Sequence, residues 1–160
     1  MKNKNLSFMT QAAMIAAIYV VLTYIFAPFS FGEVQVRISE ALTILPIFTP
    51  AAIPGLFVGC LIGNILGGAI LPDIVFGSIA TLIGAFFTWK LREQKPVVAT
   101  FPPIISNIII VPFVLRYGYG VTLPIPFMML TVGIGEVISC TVLGLIVYGA
   151  LKKYKSTLFR

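Results

Sequence analysis

The chain has 160 residues, 59% of them apolar and only 10% charged, with a mean hydropathy of +1.05. A soluble domain has about a quarter of its residues charged, so this composition excludes a water-solvated globule and makes the chain an integral membrane protein. There is no histidine, which removes histidine metal sites and Ser–His or Cys–His nucleophiles. The phosphate-cradling pattern G-x-x-x-x-G-K-[ST] is also missing, so the chain itself is expected neither to hydrolyse ATP nor to act as an enzyme.

Charge spacing divides the chain into elements. Uncharged runs extend over Asn5–Gly32, Ala41–Pro72, Ile74–Trp89, Pro96–Leu115 and Tyr117–Gly135. A membrane helix needs about 20 apolar residues at 1.5 Å rise each, so the second run is too long for one span. Pro46, Pro50 and Pro54 break it near its start, and a tight turn is expected over Thr49–Pro54 because the residue before a proline disfavours helix. The result is an all-α membrane protein forming one transmembrane domain over residues 1–160. Its six helices are expected near 7–27, 38–49, 51–71, 73–92, 97–115 and 124–151. The second helix is short: twelve residues rise only about 18 Å against ~30 Å of hydrocarbon. The charged loop before it is therefore expected to dip into the protein, where non-helical backbone is tolerated only beside protein or a water-filled cavity.

Six crossings put both termini on one side. Lys2, Lys4, Lys90, Arg92, Lys95, Lys152, Lys153, Lys155 and Arg160 then share that face, nine of the eleven basic residues. By the positive-inside rule it is cytoplasmic. Trp89 and Tyr148 lie near its boundary, as interface aromatics do. Topology and anionic lipid account for the basic balance, so no nucleic-acid partner is expected. The first apolar run lacks a convincing cleavage site and is expected to remain as a helix. The other half of the molecule holds Glu33, Arg37, Glu40, Asp73, Arg116 and Glu136, a mildly acidic set.

Polar groups at membrane depth require an explanation. Glu136 lies in the middle of the last span; it is either a ligand contact or proton carrier, or a protonated group bonding between helices. The segment SFGEVQVRISE at 30–40 is the densest polar cluster. If helical from Glu33, its Glu33/Arg37 and Arg37/Glu40 spacings suit an ion-pair ladder. In the competing reading Arg37 orients one carboxylate while Gln35 or Glu40 faces a ligand. Asn64 and Asn107 are either interhelical hydrogen bonds, worth about 0.6 kcal/mol on average, or ligand contacts. Asp73 follows Pro72 and reads first as a helix N-cap. Cys60 and Cys140 read as small packing residues. Gly55, Gly59, Gly63 and Gly67 recur every four residues and predict close helix packing, and Ala12/Ala16 and Ala13/Ala17 make two further small-residue repeats.

These residues also carry a resemblance. The stretch SFGEVQVRISEALTILP, then TPAAIPGLFVGCLIGNILGG, DIVFGSIATLIGA and FPPIISN, is similar to the queuosine-precursor transporter (QueT) family, over nearly the whole chain. The resemblance implies a substrate-binding S component of an energy-coupling-factor (ECF) transporter in the bacterial plasma membrane. Its implied partners are a transmembrane coupling subunit and two cytoplasmic ATPases that use ATP, with no cofactor or metal in this chain. The implied substrate is a 7-deazaguanine, either a queuosine precursor or queuine. Its donor edge suits Glu40 or Glu136; Gln35, Asn64, Asn107 or Arg37 suits its carbonyl, and Asp73 completes the candidate binding set. In the wider group an Ala-x-x-x-Ala surface on the first span docks on the coupling subunit, which points to Ala12, Ala13, Ala16 and Ala17. The alternative is a proton-coupled secondary transporter with Glu136 as the carrier.

Overall fold

A computed structural model describes residues 4–30 and 36–154. Among them all regular structure is helical: α1 (Lys4–Ile25), α2 (Ala27–Ser30), a 3₁₀ helix (Ile38–Ile47), α3 (Ala52–Leu66), α4 (Leu71–Lys90), α5 (Pro96–Ala99), α6 (Phe101–Tyr117), α7 (Ile125–Glu136), a π-helical turn region (Val137–Leu143) and α8 (Gly144–Lys152). Four stretches are long and apolar enough to cross a membrane: Lys4–Ile25, Leu71–Lys90, Pro96–Tyr117 and Ile125–Lys152. The other two apolar helices, Ile38–Ile47 and Ala52–Leu66, are shorter.

The molecule is apolar outside, and its interior holds polar groups alongside a hydrophobic core that includes Ile44, Leu56, Met128 and Val132. Met14, Ile18, Val21 and Ile25 of α1, Phe76 and Phe87 of α4, and Ile105 and Ile109 of α6 are exposed. Buried instead are Thr23, Ser39, Thr43, Ser78, Thr81 and Ser139, along with several ionisable groups. Lipid solvates the first set without cost, whereas the second must find partners within the protein. This distribution is that of a membrane protein.

Small residues hold the helices at close range. A methyl added to Gly55 would lie 2.7 Å from the Ala12 carbonyl oxygen, and one on Gly59 would lie 2.8 Å from Tyr19 Cβ and 3.1 Å from Ala16 Cα. Gly63 faces Thr23 in the same way, 3.2 Å from its Cβ. The glycine repeat expected to make a packing groove does so, and α1 fills it. Gly67, the fourth member, caps α3 instead. Gly68 then turns the chain with φ +76, a conformation open to glycine at no steric cost, and α4 begins three residues later at Leu71. On α4, Gly84 packs against Pro103 of α6, where a methyl would stand 2.6 Å from Pro103 Cα.

The segment at 38–47 is the innermost element, with every residue from Ser39 to Ile47 buried. It is a 3₁₀ helix rather than the short α-helix expected. At about 2.0 Å rise per residue its ten residues span about 20 Å. Such long 3₁₀ runs are uncommon because side chains at i and i+3 eclipse. Here Glu40 and Thr43 make use of that eclipse, pointing to the same side. The turn after it falls where the prolines place it, with Ala52 opening α3 and Pro54 in its first turn.

Candidate functional site

Glu40 stands at the centre of the buried polar interior, 1% exposed. The 3₁₀ helix delivers it between α1 and α4. The Tyr19 hydroxyl of α1 donates a hydrogen bond to Glu40 Oε1, and Thr81 Oγ1 of α4 lies 3.5 Å from the same oxygen. Thr81 gives its proton to the Gly77 carbonyl at 3.1 Å and also lies 3.4 Å from Cys60 Sγ. Glu40 Oε2 has no hydrogen-bond partner among the described residues. A buried carboxylate oxygen left in this state costs free energy until a donor reaches it.

A second group gathers around Asp73 on the first turn of α4. Arg37, with extended backbone just ahead of the 3₁₀ helix, places Nη2 3.4 Å from Asp73 Oδ2. The Tyr119 hydroxyl donates to that oxygen at 3.0 Å from the loop between α6 and α7. Burial, and after it the Asp73 charge, holds the Tyr119 phenol above its ordinary value of 10, so it remains a donor at neutral pH. Asn64 Nδ2 of α3 donates to the Asp73 backbone carbonyl at 3.3 Å and lies 3.7 Å from Cys60 Sγ. The turn at Gly67–Gly68 thus folds α3 onto α4 so that Asn64 and Asp73 meet. Asp73 Oδ1 has no partner among the described residues.

The third group comes from the last long helix. Cys140 Sγ donates to Glu136 Oε2 at 3.2 Å, and Thr43 Oγ1 reaches Cys140 Sγ at 3.5 Å. Asn107 of α6 is buried, as Glu136 is. The π-helical stretch begins one residue after Glu136. Its wider turn keeps Ser139 and Cys140 buried beside Glu136, as π-bulges often do at functional sites. Ligand atoms of Glu40, Glu136 and Cys140 lie within 4.8 Å of one another. Two carboxylates and a thiol are a donor set capable of holding a divalent ion. Cys140, however, uses its S–H as a hydrogen-bond donor, which metal ligation would displace.

Of the residues expected from the sequence, Arg37 (5% exposed), Glu40 (1%), Asn64 (1%), Asp73 (1%), Asn107 (4%) and Glu136 (2%) are all buried, and the contacts above link all but Asn107 into one polar interior. Gln35 and Glu33 lie outside the described residues. Two alternatives for these groups are corrected by the geometry. Arg37 is not helical, which removes the spacing an Arg37–Glu40 ladder needs, and it pairs with Asp73. Asp73 is not the N-cap of α4; Ile70 holds that position and the Asp73 side chain turns to Arg37 and Tyr119. The two cysteines are buried, as expected, but each thiol sits within the polar network and is more than a packing group.

The four alanines divide between two faces. Ala12 and Ala16 face Gly55 and Gly59 within the chain, whereas Ala13 and Ala17 are exposed. Tyr19, Thr43, Gly77, Thr81 and Tyr119 belong to the site but do not stand out in the sequence. Helical spacing is the signal that would have found several of them: Cys60 is four residues from Asn64, Gly77 four from Asp73, Thr81 four from Gly77 and Cys140 four from Glu136.

The family model described as QueT transporter matches residues 9–153. Over 84 residues the chain is 33% identical to the Queuosine precursor transporter QueT of Lactococcus lactis subsp. cremoris (strain MG1363). That alignment covers 51% of this chain and 48% of the relative, so the matched region spans about half the length of that protein. No solved structure matches. The family match over most of the chain, on an all-helical fold with an apolar exterior and a buried polar interior, leads to one conclusion: this multi-pass membrane protein belongs to the QueT transporter family.

Proposed function

We propose that the chain is the substrate-binding S component of an ATP-driven ECF importer and that it takes up a 7-deazaguanine base, either a queuosine precursor or queuine. The observation that carries this reading is that three carboxyl groups, Glu40, Asp73 and Glu136, are buried with one guanidinium, Arg37, among the described residues, and that Arg37 pairs with Asp73. Glu40 Oε2 and Asp73 Oδ1 there lack partners among the described residues. Such a site favours a ligand rich in N–H donors. A guanine-like base offers adjacent ring and exocyclic donors, and a precursor bearing an aminomethyl group adds a cation that the excess of acid attracts.

In the bilayer the chain crosses six times, with both termini cytoplasmic and the Asp73 end of α4 facing outward. Lys90 and Arg92, at the other end of α4, support that orientation through the positive-inside rule. Substrate enters from outside, its polar edge matched by the buried acids and amides while its ring is held away from water. Binding, not covalent chemistry, is the work of this chain. Energy comes from two cytoplasmic ATPases acting through a transmembrane coupling subunit. Exposed Ala13 and Ala17 form the small-residue surface on which that subunit docks, since residues of this size let helices approach closely. Rigid-body reorientation then releases substrate to the cytoplasm.

The test is affinity purification from membranes followed by reconstitution. The expected result is co-purification of a coupling subunit and two ATPases, and uptake of 7-deazaguanines that depends on ATP. Uptake by the chain alone, driven by a pH gradient, would overturn the partnership and make the Glu40–Glu136 pair a proton carrier.

A further inference from the structure

Glu40, Glu136 and Cys140 bring ligand atoms within 4.8 Å of one another, and all three residues are buried. Three segments build the group. The 3₁₀ helix supplies Glu40, the end of α7 supplies Glu136, and the π-helical stretch supplies Cys140, whose Sγ lies 3.2 Å from Glu136 Oε2. Thr43, one 3₁₀ turn after Glu40, reaches Cys140 Sγ at 3.5 Å and ties the two helices together. Arg37 is the only buried Lys or Arg among the described residues, and it pairs with Asp73. Acid therefore outnumbers countercharge in this interior, where an uncompensated carboxylate costs several kcal/mol.

The group has the dimensions of an ion site. Three atoms within 4.8 Å of one another all lie within about 2.8 Å of a single point. Zn–S and Zn–O bonds are about 2.3 and 2.0–2.2 Å, so shifts of under about 1 Å in each side chain complete three bonds. A tetrahedral centre with these bonds separates its S and O ligands by about 3.6 Å, close to the 3.2 Å between Cys140 Sγ and Glu136 Oε2. An ion of this size sits among its ligand atoms and needs no wider space. A second observation points the same way. Tyr19 and Thr81 face Glu40 Oε1, whereas Oε2 is buried with no partner among the described residues. A cation satisfies that oxygen and takes the place of the Cys140–Glu136 hydrogen bond, whose proton is released because a ligating thiol is a thiolate.

We propose that Glu40, Glu136 and Cys140 form a binding site for one thiophilic divalent cation, best matched by Zn²⁺. Mg²⁺ and Ca²⁺ prefer six or more oxygen ligands and gain nothing from a thiol. Zinc accepts three protein ligands and an open fourth position. The family resemblance implies no metal in this chain, so the site adds to that picture. Its carboxyls are those that the proposed function gives to substrate, so zinc and a deazaguanine compete. The site stands without the deazaguanine reading; the competition rests on it.

The test is titration of the purified, tag-free, chelator-stripped full chain with Zn²⁺, and with Co²⁺ as a spectroscopic probe. One Zn²⁺ is expected to bind per chain with Kd below about 10 μM, and Mg²⁺ at least about tenfold more weakly. Co²⁺ should give the near-ultraviolet charge-transfer band of a thiolate ligand. Cys60→Ser should keep that band and Cys140→Ser should lose it. Even outer-shell partners of a metal are worth about 10–100-fold in affinity, so Cys140→Ser and Glu136→Gln should each weaken Zn²⁺ binding at least about tenfold. No saturable Zn²⁺ binding, or a band that survives in a well-folded Cys140→Ser, overturns the proposal. If neither Cys140→Ser nor Glu136→Gln folds, the band in wild type and Cys60→Ser decides, and its absence overturns the proposal. Saturating Zn²⁺ should lower the affinity for 7-deazaguanine about tenfold or more. Unchanged affinity overturns the competition alone. No binding of the base to the metal-free chain overturns the deazaguanine reading, while the zinc titration still decides the site.

Discussion

Glu40→Gln separates a binding group from a structural one more cleanly than any other change in this site. Glutamine has nearly the same shape, and its carbonyl oxygen can still accept from Tyr19 and face Thr81, as Glu40 Oε1 does. What changes is the other end. Oε2, an unpartnered acceptor among the described residues, becomes an NH₂ donor. A ligand donor arriving there meets another donor in place of a carboxylate. A hydrogen bond to a charged group is worth about 1.5–3 kcal/mol, and at 1.4 kcal/mol per decade this predicts a loss of roughly 12- to 140-fold in Kd. The empty protein should not pay a comparable penalty, because the substitution removes a charge from a buried position. The assay is isothermal titration of 7-deazaguanine into wild type and variant, with a thermal melt of each ligand-free protein. Affinity within twofold of wild type, in a variant that melts normally, would refute the assignment of Glu40 to the ligand.

Three further outcomes follow from the geometry. Gly59→Val should lower thermal stability, since its side chain would press on Tyr19 Cβ and Ala16 and overpacking costs about 1–3 kcal/mol; an unchanged melting temperature would contradict the close α1–α3 contact. Ala17→Leu should block co-purification of the coupling subunit while sparing ligand affinity, whereas Ala16→Leu should destabilise the chain because Ala16 faces Gly59; identical behaviour of the two variants in a pull-down and a melt would contradict the division of faces. Tyr119→Phe should weaken binding several-fold by releasing Asp73. Because burial and then Asp73 raise the Tyr119 pKa above 10, the hydroxyl is protonated throughout pH 7–9, and the size of that loss should be the same at both limits; a loss that vanishes by pH 9 would contradict this.

Much of the site is legible in the sequence because charge and carboxamide are expensive in a membrane helix. Arg37, Glu40, Asn64, Asp73, Asn107 and Glu136 stand out for that reason, and all are buried in the polar interior. Tyr19, Thr43, Thr81 and the two thiols do not stand out. Residues of these types occur in lipid-facing and packing positions alike, and only the helical phase set by a charged neighbour separates the cases. The glycine repeat on α3 was legible as packing, because spacing alone defines a groove. The helix types at 38–47 and 137–143 were not. The apolar composition of these runs does not mark where 3₁₀ or π geometry replaces the α-helix. In the sequence Asp73 reads as a cap because Pro-Asp before an apolar run suits a helix start. The helix in fact starts at Leu71, leaving the carboxylate to face Arg37 across the bundle.

The central claim is that this buried set of acids and amides binds a 7-deazaguanine. Calorimetric titration of the purified wild-type chain with 7-aminomethyl-7-deazaguanine, 7-cyano-7-deazaguanine, queuine and guanine tests it directly. Saturable one-to-one binding of at least one deazaguanine is expected, with Kd below about 1 μM, equivalent to −8.2 kcal/mol. No binding of any deazaguanine, together with tight binding of an unrelated vitamin, would contradict it.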